Sequence, residues 1–306
     1  MSTDTHPSTG VEIRFRSGED DCVGTFHPPA GDPAGEVPCV VLAHGLGGTA
    51  DSGLAPFAEA FAEAGLAALV FDYRGFGRSG GRRRQEVDPA AQQADYRAAL
   101  AAAAARPEVD ARRLVLWGCS LSGGHVFEVA RGRDDVAAVI SLVPLVDGLS
   151  AALVAAREHR PLDLARSSGL ATAARVASVL GRPEPRVPLV GAPGSGALLA
   201  LDGYAEAYTS VAGPTWVNEV GAGIGAALGG FRPGRHAAEL TDVPVLVQIC
   251  DLDRSAPPDA AAKAAFAARA EVHHYPGDHF DLFPGRPCHE RALRHELAFL
   301  RRHLGR

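Results

Sequence analysis

The chain has 306 residues, of which 46% are hydrophobic and 22% are charged, and its formal net charge is −6. A chain of this length and hydrophobicity buries a full core, which excludes an intrinsically disordered protein. The pI near 6.1 offers no basic surface for nucleic acid. No apolar run approaches the roughly 18 residues that a membrane-spanning helix needs, so we expect no membrane partner.

The amino-terminal residues and the cysteines bear on the cellular compartment. The opening sequence MSTDTHPSTG is polar and does not show the charged and apolar regions of an export signal. The cysteines are odd in number and mostly lie in apolar runs, which indicates reduced core thiols rather than a disulfide framework. We therefore expect a cytoplasmic protein. The cysteines are Cys22, Cys39, Cys119, Cys250 and Cys288.

Strand and helix patterns alternate over residues 11–147. Apolar runs between turn residues predict strands at Val11–Arg16, Cys22–His27, Val37–Ala43, Leu66–Asp72, Leu114–Gly118 and Val136–Pro144. Helical patterns lie between the later strands, at Leu54–Ala64, Pro89–Arg106 and Ser122–Arg131. The first two strands are predicted to form an antiparallel hairpin. The others are apolar throughout, as in parallel strands buried on both faces.

The pattern changes over residues 148–242, where the apolar spacing is helical and no buried strand is predicted. The alternation then resumes with strand Val243–Cys250, helix Pro257–Ala270, strand Glu271–Tyr275 and helix Pro287–His303. The sequence therefore predicts an α/β fold with a mainly parallel sheet flanked by helices. Its core comprises residues 1–147 and 243–306, and a helical lid of residues 148–242 is inserted between the sixth and seventh strands.

The segment LVLWGCSLSGG, residues 114–124, contains the strongest chemical signal. An apolar strand passes directly into a helix through a turn of small residues, which holds Ser120 in a strained, exposed conformation suited to a nucleophile. The usual pattern is G-x-S-x-G, and here Ser122 replaces the second glycine. A Gly/Ser-rich turn without chemistry is the simpler alternative.

A nucleophilic serine needs a histidine base and a carboxylate that orients the base. Carboxylates follow the strand Val243–Cys250, and a histidine follows the last strand. Together with Ser120 they give the chain order Ser, Asp, His, and all three lie at the edge where a parallel sheet gathers its loops. We favour Asp253 as the acid, with Asp251 or Asp147 as alternatives, and His279 as the base. Asp278 is expected to be a turn residue.

The other histidines of the last strand and final helix are not expected to take part in catalysis. His273 and His274 are predicted to be a packed and an exposed strand residue. The final helix carries His289, His295 and His303, which are expected to face solvent. A metal site built from His274, His279, Asp281 and His289 is conceivable, but no tight ligand spacing supports it.

The loop HGLGGT, residues 44–49, follows the first buried strand and is expected to supply an oxyanion donor. We predict that the amides of Leu46 and Leu121 form the oxyanion hole, and that His44 is a structural hydrogen-bonding residue behind the loop. The same loop fits a dinucleotide-binding pattern that ends at Asp72. Because residues 51–53 look like further loop, no helix would hold a pyrophosphate, and we reject this interpretation.

These motifs resemble those of the α/β-hydrolase fold superfamily, and within it the bacterial dienelactone-hydrolase-like and esterase-like proteins and their relatives in polyketide pathways. The resemblance rests on AHGLGGTADSG, FDYRGFGRSGG, WGCSLSGG, ICDLDRSAPP and YPGDHFDLF. It spans the chain from about residue 37 to the end, apart from the lid. It implies Ser120 as nucleophile, Asp253 as acid, His279 as base, and the Leu46 and Leu121 amides as oxyanion hole.

The residues thus favour a serine hydrolase that cleaves an ester, thioester or lactone of a small molecule through an acyl-enzyme, with no cofactor or metal. The lid content, including Tyr204, Trp216 and Phe231, favours a small apolar or polyketide-like acyl group, although most of these residues are expected to pack the lid onto the core. A cofactor-free acyltransferase with the same triad and a non-catalytic binding protein stay open as alternatives. The oligomeric state also stays open, a homodimer included.

Overall fold

The computed structural model describes residues 10–31, 33–158 and 161–305, and an eight-stranded sheet forms its centre. The strands of the chain are β1 (Val11–Ser17), β2 (Asp20–His27), β3 (Val37–Ala43), β4 (Ala67–Phe71), β5 (Val109–Cys119), β6 (Val136–Leu142), β7 (Arg186–Val187), β8 (Val220–Gly221), β9 (Val245–Cys250) and β10 (Glu271–Tyr275). Strands β7 and β8 pair with each other in a separate antiparallel ribbon.

The main sheet has the order β1-β2-β4-β3-β5-β6-β9-β10. Strands β1 and β2 form the predicted antiparallel hairpin, and β2 joins β4 antiparallel. Every other pair in this sheet is parallel. The carboxyl ends of β3, β5, β6, β9 and β10 therefore share one edge, where the loops that follow them meet. The α/β fold with a mainly parallel sheet is confirmed.

Five helices follow core strands and cover the sheet: α1 (Ala55–Glu63), α2 (Pro89–Ala104), α3 (Leu121–Ala130), α8 (Pro258–Ala267) and α9 (His289–Leu304). Phe57 of α1 packs on the ring of Trp117 at 4.9 Å, and Glu296 of α9 accepts a hydrogen bond from its indole, so both helices lie on one face. Tyr96 of α2 donates to the carbonyl oxygens of Val41 and Trp117, which joins that helix to β3 and β5.

Residues 148–242 lie between β6 and β9 and are called the insertion below. They contain α4 (Gly148–Glu158), α5 (Pro161–Val179), α6 (Tyr204–Thr209), α7 (Ile224–Gly230) and a 3₁₀ helix at Pro233–Glu239. The predicted helical character is present, but β7 and β8 were not expected, because two residues per strand are too few to produce an alternating pattern. That the insertion forms a separate lid stays a prediction.

Some predicted bounds differ from the structure. Strand β5 begins at Val109 rather than at Leu114, because its first residues, including Asp110 and Arg112, are polar and give no strand pattern. All five cysteines are free and buried, as expected of core thiols. None of the helices that the structure describes is long and apolar enough to cross a bilayer.

Candidate active site

Ser120 occupies the sharp turn between β5 and α3. Its φ of +56° lies in the left-handed region, which is strained for a residue with a side chain. The turn is so tight that a Cβ at Gly118 would lie 2.3 Å from the carbonyl oxygen of Ser122. The small residues around Ser120 are therefore a steric requirement, as the sequence indicated, and they leave the serine half-buried at the sheet edge.

Ser122, which replaces the second glycine of the usual pattern, is fully buried and has a defined partner. Its hydroxyl lies 3.0 Å from the hydroxyl of Tyr73 in the loop after β4. This hydrogen bond compensates the burial of both groups and explains why serine is accepted there. No pattern in the sequence pointed to this role of Tyr73.

His279 lies in the loop after β10 and contacts Ser120. Its Nε2 is 3.0 Å from Ser120 Oγ, and its Nδ1 is 2.7 Å from Asp253 Oδ2. The other carboxylate oxygen of Asp253 accepts the backbone N–H groups of Ser255 and Ala256 at 2.8 and 2.7 Å. The loops after β5, β9 and β10 thus bring together the three residues that the sequence singled out.

The electrostatic surroundings favour the protonated imidazole of His279. Burial of the ring lowers its pKa, but the charge of Asp253, the hydrogen bond to it and the charge of Asp278 outweigh this effect. The net pKa lies above the usual value of 6.5. With Nδ1–H donated to Asp253, the neutral ring presents the Nε2 lone pair to the hydroxyl of Ser120.

The alternative acids are placed elsewhere. Asp251 pairs with the exposed His274, at 2.6 Å from its Nδ1. Asp147 accepts the N–H groups at the start of α4 and forms an ion pair with Arg232 at 2.8 Å. The structure therefore brings neither of them to His279.

The loop after β3 lies against the nucleophile, since a Cβ at Gly45 would be 2.7 Å from the Cβ of Ser120. Leu121 begins α3, so its N–H is one of the amides that a helix leaves unpaired at its first turn. The two backbone segments predicted to carry the oxyanion donors, at Leu46 and Leu121, therefore flank Ser120.

His44 lies beneath this loop and stacks on Phe283, with 5.6 Å between ring centroids. Burial lowers its pKa to about 4, so the ring is neutral and serves packing. A Cβ at Gly48 would lie 2.0 Å from the ring of His44, which accounts for one glycine of the loop.

The dinucleotide interpretation fails on the geometry as well. Asp72 accepts the N–H groups of Ala50 and Arg78 at 2.6 and 3.0 Å, so its carboxylate is used to join two loops. Helix α1 begins only at Ala55, and no helix starts directly under the glycines. Asp72 is therefore a structural residue.

The expectations for Asp278 and His289 need correction. Asp278 does more than form a turn: its carboxylate accepts the N–H of His279 at 2.8 Å and pairs with Arg254 at 2.5 Å. His289 does not face solvent but is buried against Phe57, and its Nδ1 donates to the carbonyl of Leu282 at 3.0 Å. Its position in the first turn of α9, where the helix meets the core, could not be read from its spacing.

The remaining histidines follow the sequence interpretation in part. His273 stacks on His295 at 3.8 Å, so His273 is packed as predicted. The prediction that His295 faces solvent is wrong, because its ring is half-buried and its Nδ1 lies 2.7 Å from the hydroxyl of Tyr275. His303 is exposed, as predicted. Within the residues that the structure describes, no three His, Cys, Asp or Glu side chains gather as metal ligands.

Comparison with known proteins identifies the family of this chain. Residues 36–181 match the profile of a hydrolase family described as serine aminopeptidase, S33. The chain is 35% identical over 301 residues to the quorum-quenching protein AidA of Acinetobacter baumannii (strain MDR-ZJ06), an alignment that covers 97% of this chain and 96% of that protein. It is 36% identical over 110 residues to the thiohydrolase aneE of Aspergillus aculeatus, which covers 36% of this chain and 35% of that protein.

The fold also matches solved structures. The crystal structure of the α/β hydrolase GrgF from Penicillium sp. sh18 superposes with a TM-score of 0.79, covering 97% of this chain and 99% of that one. The sequence identity is 21%, so this likeness concerns the fold alone.

Proposed function

Because this chain belongs to the α/β-hydrolase superfamily and is an enzyme of the serine-hydrolase type, we propose that it hydrolyses a carboxylic ester, thioester or lactone through Ser120, His279 and Asp253. The observation that carries the proposal is the continuous hydrogen-bonded chain from Ser120 Oγ through the ring of His279 to Asp253. This arrangement removes a proton from a serine hydroxyl at neutral pH.

In the first step, Ser120 Oγ attacks the substrate carbonyl carbon while its proton passes to His279 Nε2. Asp253 holds the imidazole in the tautomer with Nδ1 protonated and stabilises the imidazolium that forms. The amides of Leu46 and Leu121 hold the negative oxygen of the tetrahedral intermediate. A donor in such a position contributes about 3 kcal/mol to the transition state.

The intermediate collapses as His279 protonates the leaving alcohol or thiol, which leaves an ester between the acyl group and Ser120. Water, deprotonated by the same histidine, then attacks this ester and releases the acid. These steps use side chains, two amides and water. The same acyl-enzyme would transfer its acyl group if an alcohol or amine took the place of water.

The substrate class follows from the relatives and the insertion. The similarity to a thiohydrolase supports a thioester among the three carbonyl classes. Tyr204 and Phe231 of the insertion are buried and pack onto the core, Tyr204 against Phe280 and Phe231 against His125. Trp216 is partly buried and stacks on Tyr208 within the insertion. We propose a small apolar or polyketide-like acyl group, because the part of the insertion that packs beside the catalytic loops is built from aromatic and aliphatic residues.

The test compares wild type with Ser120→Ala on p-nitrophenyl esters from acetate to decanoate and on acyl thioesters of the same lengths. Ser150→Ala, at the start of α4 and outside the site, is the matched control. We expect turnover in wild type and the control and none in Ser120→Ala, with unchanged melting temperatures. Equal rates in wild type and Ser120→Ala would contradict the assignment. Added alcohols or amines distinguish transfer from hydrolysis through the products formed.

A further inference from the structure

Helix α6 of the insertion presents two buried tyrosines to the core. Tyr204 and Tyr208 are separated by one helical turn, so both side chains lie on the same face. Burial raises the pKa of both phenols well above the usual value, so each hydroxyl stays a hydrogen-bond donor. The two hydroxyls reach two different loops of the proposed active site.

Tyr204 contacts the loop that carries the base. Its hydroxyl donates to Asp278 Oδ1 at 2.8 Å, and the same oxygen accepts the N–H of His279 at 2.8 Å. Asp278 also binds the guanidinium of Arg254, the residue after Asp253. This guanidinium in turn donates to the carbonyl of Asp202 in the insertion at 3.0 Å.

Tyr208 contacts the loop of the proposed oxyanion hole. Its hydroxyl donates to the carbonyl oxygen of Leu46 at 2.9 Å. This bond fixes the peptide unit that directly follows the proposed donor N–H. Trp216, also in the insertion, stacks on the ring of Tyr208 at 5.1 Å and keeps it in place.

Phe280 joins the two contacts. It follows His279 in the chain and packs edge-on against both tyrosine rings, at 5.2 Å from Tyr204 and 5.4 Å from Tyr208. It also lies edge-on to the imidazole of His279 at 5.2 Å. The six-residue helix therefore holds the base loop and the oxyanion loop at a fixed distance from each other.

We infer that α6 is a positioning element: Tyr204 and Tyr208 set the geometry of the base and of the oxyanion hole, so the site is competent only while the insertion is docked. This inference rests on the proposed function of Ser120 and His279. Neither tyrosine touches the reacting atoms, and both act through the loops they hold. A displacement of about 1 Å at such loops costs up to about a hundredfold in rate.

The test uses Tyr204→Phe and Tyr208→Phe, which keep the aromatic packing and remove only the hydroxyls. Tyr275→Phe is the matched control, because its buried hydroxyl bonds Gln248 and His295 away from the site. The measurements are the rate at which a fluorophosphonate labels Ser120, kcat and KM on the best ester, and the melting temperature.

We expect each α6 variant to lower the labelling rate and kcat about ten- to a hundredfold with KM nearly unchanged, at a temperature well below its melting point. The control should label like wild type. Wild-type labelling rates in both α6 variants would overturn the positioning role and leave the proposed function intact. A wild type that does not label at Ser120 would overturn both. Should one variant not fold, the other decides by the same criterion.

Discussion

Glu296 lies in α9, which packs on one face of the sheet against β5, the strand that precedes Ser120. Its carboxylate is completely buried, and its Oε2 accepts a hydrogen bond from Trp117 Nε1 at 3.1 Å. Burial raises the pKa of this carboxyl from 4.5 to about 8, an effect that the hydrogen bond from Trp117 offsets only in part. The group is thus protonated at neutral pH in the folded chain.

This shift makes stability depend on pH. Once unfolded, the carboxyl ionises above about 4.5, whereas in the folded chain it keeps its proton up to about pH 8. The contribution of Glu296 to stability is therefore fully present below pH 4.5 and is lost as pH rises through about 8. Each pKa unit corresponds to about 1.36 kcal/mol, so about 3 to 4 kcal/mol is lost between roughly pH 5 and pH 8.

Glu296→Gln removes this titration and keeps an amide oxygen for the Trp117 indole. Urea unfolding at a series of pH values should show the free energy of unfolding of wild type falling relative to the variant by about 3 to 4 kcal/mol between about pH 5 and pH 8. The difference between the two proteins cancels the titration of all other groups. Parallel curves over this range would refute the reasoning.

Three further predictions concern the catalytic residues and their neighbour Asp278. Asp253→Asn should lower kcat about 10⁴-fold, because the imidazole loses the partner that sets its tautomer, whereas Asp251→Asn should leave kcat nearly unchanged. A larger loss of kcat in Asp251→Asn than in Asp253→Asn, measured by steady-state kinetics, would reassign the acid. The kcat/KM should rise with pH through the raised pKa of His279, with a midpoint above 6.5. Asp278→Asn should lower that midpoint, since the Asp278 charge helps to raise this pKa, and a pH profile with an unshifted midpoint would contradict this.

The fold was predictable because its strongest features are local. Strands such as β3 are apolar at every position, and the helix patterns between them are long enough to be recognised, with a glycine cap at the end of α9. The pattern failed where a strand begins with polar residues, as at Asp110 in β5, or where pairing involves two residues, as in β7 and β8. Such pairings depend on where distant segments meet, which local periodicity does not encode.

The candidate triad could be selected from the sequence because chain order and the topology of a parallel sheet determine which loops meet. The choice between Asp253 and Asp251 depended on their place in one loop, and the structure brings Asp253 to His279. The contacts that surround the triad could not be predicted from the sequence. Tyr73 meets Ser122 across 49 positions of the chain, and no spacing rule predicts such a contact.

The contacts of the insertion with the core were also not predictable from local patterns. Tyr204 and Tyr208 are visible in the sequence as two aromatics one helical turn apart, a spacing that usually indicates core packing. Their packing on Phe280 fits that interpretation. They differ from ordinary core residues because their hydroxyls donate hydrogen bonds to Asp278 and to the carbonyl of Leu46. These two residues lie in core loops that precede and follow the insertion in the sequence. Because one short helix joins both loops, a change in how the insertion docks would alter the base and the oxyanion hole together.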